Sequence, residues 1–250
     1  RNCTAGQIRV YSDGMDAKRL EISRLFHRFG FGPRPGEYAQ ALLDGVSTTR
    51  EKMVTVPAVD AGALKVVEPE ITDLGPRPKP NTKEIVPFAI AMRFQIQQMI
   101  VWWLDRMAVS DHGLTERMTW FWHGHWATSV DKLNYALPMF KQNKTLRANC
   151  LGNFATMTKA MINDGALQFW LDGQDNTVKA PNENLGRELM ELFTLGVGRY
   201  TEDDVKNISR SLTGYQVVRS SGAVTINQNR RDKNPVTLLG TTAVFTGDSL

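Results

Sequence analysis

Along most of the chain the apolar residues recur at helical spacing. Asp16 to His27 sets Leu20, Ile22, Leu25 and Phe26 on one stripe, and Phe29-Gly30-Phe31-Gly32-Pro33 stops it, since Gly and Pro do not continue a helix. A short helix is predicted over Gly36 to Leu43. Phe88 to Val109 carries Ile90, Phe94, Ile96, Ile100, Val101, Trp103, Leu104 and Met107 around most of its circumference, which predicts a helix buried in the middle of the fold. Leu114 to Trp126, Leu133 to Asn149, Asn153 to Ile162 and Glu183 to Leu195 are read as further helices. Thr201 to Tyr215 opens on Thr201-Glu202-Asp203-Asp204, an acidic form of the capping box, with Val205, Ile208 and Leu212 as its stripe.

The period then changes. Gln216 to Arg219 and Ala223 to Ile226 flank Ser220-Ser221-Gly222, the pattern of a β-hairpin. Between Pro57 and Pro87, prolines at 57, 69, 76, 78, 80 and 87 suppress periodicity and predict an extended connector or surface excursion. The expected class is mainly α: a bundle-like, multi-helix domain spanning 1–250, with a small C-terminal hairpin and a Pro-rich connector over 57–87.

Composition narrows the class without naming a reaction. With 42% hydrophobic and 22% charged residues in 250, disordered, collagen-like and disulfide-dense chains are excluded. The net charge of +4 is spread thinly, whereas nucleic-acid binders concentrate charge in a stripe, so no nucleic-acid partner is expected. Cys3 and Cys150 form neither a metal nor a redox pattern, which leaves a single disulfide in an oxidising compartment open. The most apolar stretch, Ile85 to Val109, is interrupted by Arg93, Gln95, Gln97, Gln98 and Asp105, so no membrane span is expected. The start at Arg1 is expected of a processed form, a trimmed chain or a fragment.

Two segments concentrate chemistry. Trp120-Phe121-Trp122-His123-Gly124-His125-Trp126 holds two of the four histidines. In an extended turn His-x-His projects both rings to one side, and Gly124 makes a helix end plausible there; on a continuous helix the rings would stand about 200° apart. Neutral imidazoles suit a divalent transition metal such as zinc, copper, iron or nickel, so His123 and His125 are candidate ligands. The alternative is a pair of half-buried histidines among tryptophans, bonded to backbone carbonyls at a helix end.

In the second segment, Asn182 to Phe193, a helical wheel puts Leu185, Leu189, Leu192 and Phe193 on one face. Glu183, Arg187 and Glu191 fall within about 80° on the other. Such i,i+4 pairs contribute about 0.2–0.5 kcal/mol each on an exposed helix, and a solvated charged face is one outcome. The other is a cleft in which Glu183, Glu188 or Glu191 supplies an acid/base or completes a metal site, with Arg187 as orienter. His27 and Arg28, beside Phe29 to Gly32, are set aside as a basic last turn ended by Gly.

Several blocks together resemble the bacterial family catalogued as domain of unknown function 1800. They are Arg24-Leu25-Phe26-His27-Arg28-Phe29-Gly30-Phe31-Gly32; Glu116-Arg117-Met118 running into Phe121-Trp122-His123-Gly124-His125-Trp126-Ala127-Thr128-Ser129; Gln142-Asn143-Lys144-Thr145-Leu146-Arg147; Leu171-Asp172-Gly173; and Pro181-Asn182-Glu183-Asn184 through Gly196. The resemblance implies an exported protein of the periplasm or a secreted one, commonly encoded beside a sulfatase-like protein that is the implied partner. It also implies a longer architecture continuing past Leu250, of which this chain is the N-terminal part. Where the family often has a His-Asp pair before a Lys-x-x-x-Gly stretch, this chain has Arg230-Arg231-Asp232, then Lys233 and Leu239-Gly240, so a third histidine ligand is absent.

Two functional expectations follow. The first is an exported hydrolase, metal-assisted or not, acting on an envelope or extracellular substrate. Its catalytic residues are Glu183, Arg187, Glu188 and Glu191, and its metal ligands are His123 and His125. The second is a non-catalytic envelope or scaffold protein partnering the sulfatase-like protein. If sequence beyond Leu250 normally covers the Phe88 to Val109 helix and the hairpin, an apolar surface larger than a monomer usually exposes is expected there, and with it a route to oligomers.

Overall fold

The computed structural model describes residues 14–250, so Cys3 and any disulfide to it lie outside the described residues. Eleven α-helices and two small sheets follow in order among them. The described residues form two compact units. The first comprises the residues up to Val66 with Asp105–Arg117, and the second comprises Val67–Leu104 with Met118–Leu250.

In the first unit α1 (Gly14–Phe29), α2 (Glu37–Asp44) and α3 (Val46–Val54) pack around Ile22, Phe26 and Ala41, with Tyr38, Leu42 and Met53 closing the cluster. The chain turns between α2 and α3 at Gly45, whose φ of 85° suits glycine. An unbroken polar run from Ser47 to Lys52 hides α3 from periodicity, and sequence reading passes over it.

The second unit is built on α4 (Ile85–Val109) as far as Leu104, α5 (Gly113–His125) from Met118 onward, α6 (Val130–Leu133), α7 (Ala136–Asn149), α8 (Phe154–Ile162), α9 (Gly165–Trp170), α10 (Asn184–Glu188) and α11 (Glu202–Ser211). Its core joins Trp126, Leu146, Met157, Met161, Leu167, Leu185, Phe193, Ile208, Leu212 and Tyr215. The mainly α class stands, and so does the capping box: Thr201 Oγ1 accepts from Asp204 N, while Asp204 accepts from Thr201 N. The hairpin is β1 (Tyr215–Val218) against β2 (Ala223–Ile226), in antiparallel register Val217 to Val224. A second pair, β3 (Val236–Leu238) and β4 (Thr241–Ala243), is too short to show alternation in sequence. The connector from Pro57 to Glu84 holds one short 3₁₀ turn, Ala63–Lys65.

Three elements differ from expectation. The helix predicted over Leu133 to Asn149 begins only at Ala136, as α7; Leu133 instead closes the short α6, which ends at Asn134 with its left-handed φ of 59°. The helix predicted over Glu183 to Leu195 is α-helical only to Glu188; Leu189–Thr194 is a π-helical turn, which shifts the register of all that follows.

The third is α4, which is not buried in the middle of the fold. Gln95 and Trp102 are its buried residues, whereas Val86, Ile90, Phe94, Val101 and Leu104 are each more than half exposed. Trp102 packs edge-on to Phe140 at 5.0 Å, and the Gln95 amide lies against Thr72, whose backbone N–H and carbonyl it pairs with when its oxygen and nitrogen are exchanged. By length and composition alone α4 also reaches membrane-spanning size, with a best-window hydropathy of 1.2.

Candidate functional site

His123 and His125 both lie on α5, which runs helically through Gly124 to His125. The helix does not end at the glycine, so the rings point to opposite sides. His123 packs edge-on to Trp103, with centroids 5.3 Å apart, and burial pushes its pKa below the usual histidine value. His125 is ringed by Phe121, Trp122, Trp126, Phe154 and Phe193. Its Nε2 lies 3.0 Å from the carbonyl oxygen of Phe193 in the π-turn.

The carboxylates are distributed as the π-turn dictates. Arg187 joins Glu183 at 3.1 Å and Glu202 at 2.8 Å, and the hydrogen bonds it donates to these two carboxylates, Glu202 foremost, raise the arginine pKa. Glu191, displaced in register, instead accepts from the Tyr200 hydroxyl at 2.9 Å. Glu188 is half-buried. The structure therefore links Arg187 to Glu183, ties Glu191 to Tyr200, and anchors His125 to backbone. Among the described residues no three His, Cys, Asp or Glu side chains are grouped to hold a metal ion.

One buried polar chain lies deeper in this unit. Thr128 Oγ1 donates to Gln142 Oε1 at 2.6 Å, and Gln142 Nε2 donates to Asp164 Oδ1 at 2.8 Å. The same Asp164 oxygen caps α9 by accepting from Leu167 N. Burial outweighs these bonds and pushes the Asp164 carboxyl up to about 6.

The clearest concave site is in the first unit, formed by residues that sequence reading mostly passed over. A cleft of about 270 Å³ is lined on its apolar side by Phe26, Phe29, Phe31, Met53 and Met107. Asp60 organises its polar side. Its carboxylate accepts from the backbone N–H groups of Ala63, Asp111 and His112 at 2.8, 2.8 and 3.0 Å. Burial opposes ionisation there, but the three donors prevail and hold the carboxyl below its ordinary value. Asp111 in turn bridges Arg34, at 2.8 Å, and Gly62 N, at 2.7 Å. A Cβ on Gly62 would fall 2.1 Å from Val109 O, so only glycine fits this crossing.

Ser110 and His112 line the cleft and are more than nine-tenths buried. His112 Nδ1 pairs with Thr115 Oγ1 at 2.8 Å, while His112 Nε2 and Ser110 Oγ are buried without a hydrogen-bond partner. The sequence signal for the cleft was Phe29-Gly30-Phe31-Gly32, set aside as a helix stop; Ser110-Asp111-His112-Gly113 reads locally as a turn between helices. Nothing local joins Arg34 to Asp111 across 77 residues.

No curated protein and no solved structure shows significant similarity to this chain. A family model described as protein of unknown function (DUF1800) does match, over residues 24–250, and takes in the end of α1 from Arg24, the α5 histidines and the carboxylates of Glu183, Glu188 and Glu191. With nearly the whole chain matched, the protein belongs to the DUF1800 family.

Proposed function

We propose that the protein is a non-catalytic, exported envelope protein that works by docking a protein partner along α4. One observation carries this reading. Val86, Ile90, Phe94, Val101 and Leu104 fall within about 80° of one another on the helix, over about 27 Å of its length, and each is 55–64% exposed. An apolar stripe of that length on a monomer marks an interaction surface. Gln97 lies inside the stripe and Arg93 on its border. Hydrocarbon would leave these two groups costly and unpaired, whereas a protein partner can pair them, so the stripe suits protein better than lipid.

The polar residues of the alternative, hydrolytic reading support the same choice. His125 is bonded to a backbone carbonyl among five rings, and Glu183, Arg187 and Glu191 are engaged with Glu202 and Tyr200. Family resemblance supplies the export and makes the sulfatase-like protein encoded beside family members the partner of choice.

The test mixes the purified chain with that sulfatase-like protein and follows complex formation by size-exclusion chromatography. A complex that is lost in the variant Ile90→Glu/Phe94→Glu/Val101→Glu, with the melting temperature unchanged, supports the reading. Three outcomes overturn it: a complex that survives the triple substitution, binding to anionic phospholipid vesicles in place of the protein, or hydrolysis of an envelope polymer that disappears in folded His125→Gln.

A further inference from the structure

The cleft of the first unit carries an inference independent of the docking role. Its size suits a small ligand. About 270 Å³ exceeds the roughly 150 Å³ of an apolar cavity that takes benzene, and falls just below the roughly 300–1,000 Å³ of sites for drug-sized ligands. A single ring with a short substituent is the matching volume. Three phenylalanines and two methionines line it, surfaces that favour an aromatic body.

Its charges exclude an ionic ligand. Every charged side chain lining the cleft is already paired: Arg34 with Glu37 at 2.6 Å and with Asp111 at 2.8 Å, and Lys52 with Asp44 at 2.7 Å. A charged guest would have to break one of these pairs. The unmet demand is neutral. Ser110 Oγ offers a donor and an acceptor, and His112 Nε2 offers one or the other according to tautomer. Ser110 Oγ and His112 Nε2 are among several buried polar atoms without a partner among the described residues, and these two stand two residues apart on residues that line one cleft.

We infer that this cleft binds a small neutral aromatic compound carrying a hydroxyl or carbonyl group, the ring lying among Phe26, Phe29 and Phe31 and the polar group meeting Ser110 and His112.

The probes are 4-ethylphenol and ethylbenzene, which share shape and differ in the hydroxyl. With the wild-type chain, saturable binding of 4-ethylphenol by calorimetry is expected, at least threefold tighter than ethylbenzene. Methyl resonances of Met53 and Met107 should shift while those of Met157 and Met161, in the other unit, stay in place. Ser110→Ala should weaken 4-ethylphenol about three- to tenfold, the value of one hydrogen bond, and leave ethylbenzene unchanged. Because the substitution deletes a partnerless group, the melting temperature should hold or rise. The inference fails if 4-ethylphenol does not saturate, if the two probes bind alike to wild type, or if the methionine shifts fall outside the cleft. It fails equally if Ser110→Ala loses stability with no change in affinity, since the hydroxyl would then have a partner within the fold.

Discussion

His125 Nε2 and the carbonyl oxygen of Phe193 stand 3.0 Å apart, joining the end of α5 to the π-turn across 68 residues. A π-turn offsets the α-helical ladder and leaves carbonyls to be satisfied otherwise. Met190 O accepts from both Leu195 N and Gly196 N, Leu189 O accepts from Thr194 Oγ1, and His125 meets Phe193 O. The histidine thus belongs to the packing of the core.

Its removal should be read in stability. His125→Ala is expected to cost about 1–3 kcal/mol in urea unfolding at constant pH, the value of a buried hydrogen-bonded group. Metal content measured on protein purified without metal-affinity resin should be the same before and after. A variant that keeps full stability and loses a bound metal would contradict the structural role.

Asp164 sets a pH dependence with a definite sign. Its carboxyl is raised from 3.8 to about 6 in the fold, so the folded state holds the proton more tightly than the unfolded chain. Its contribution to stability is complete below about pH 4 and lost as pH rises through 6, by up to about 3 kcal/mol. Asp164→Asn retains an oxygen for Leu167 N and the Gln142 amide without titrating. The stability difference between wild type and this variant should therefore shift against wild type from pH 4 to 7; a flat difference would refute the assignment. His123 acts oppositely. Its lowered pKa makes it favour the neutral form, so its contribution is lost as pH falls through the ordinary histidine range.

Two glycines of the second unit should respond in opposite directions to alanine. A Cβ at Gly165 would lie 2.1 Å from the carbonyl oxygen of Gly222 in the hairpin turn, where backbone must move. Gly165→Ala is expected to lose about 2 kcal/mol or more. Gly124, within α5, has nothing within 4 Å of the added carbon, so Gly124→Ala should gain about 0.5–1 kcal/mol. Thermal denaturation of the two variants provides the comparison.

On α4, Trp102 is 5% exposed and Ile90 is 64% exposed. Trp102→Ala should cost about 3–5 kcal/mol, whereas Ile90→Ser should stay within about 0.5 kcal/mol. Equal losses in chemical denaturation would mean that the stripe is covered within the monomer.

Much of the fold was legible locally. The Thr201 cap, the glycine stop after Phe29 and the turn at Ser220-Ser221-Gly222 act over four or five residues, and each recurs where its pattern stands. The candidate site was less legible. The wheel that placed Glu191 beside Arg187 assumes 100° per residue, and the π-turn after Glu188 breaks that assumption. Gly124 suggested a helix end, but helical packing of its neighbours carries α5 through it.

Sequence by itself determined the helical class, most helix limits and the types of residue available for chemistry, because capping, turn formation and periodicity depend on near neighbours. Tertiary structure alone decided which side of α4 is covered, since a helix apolar around its circumference has no preferred face until something packs on Trp102 and Gln95. It also decided the cleft, where Arg34 meets Asp111 only after the chain has folded back across 77 residues. Pairing energies between such distant groups act only once the loop between them is closed, so they leave no periodic trace in the sequence.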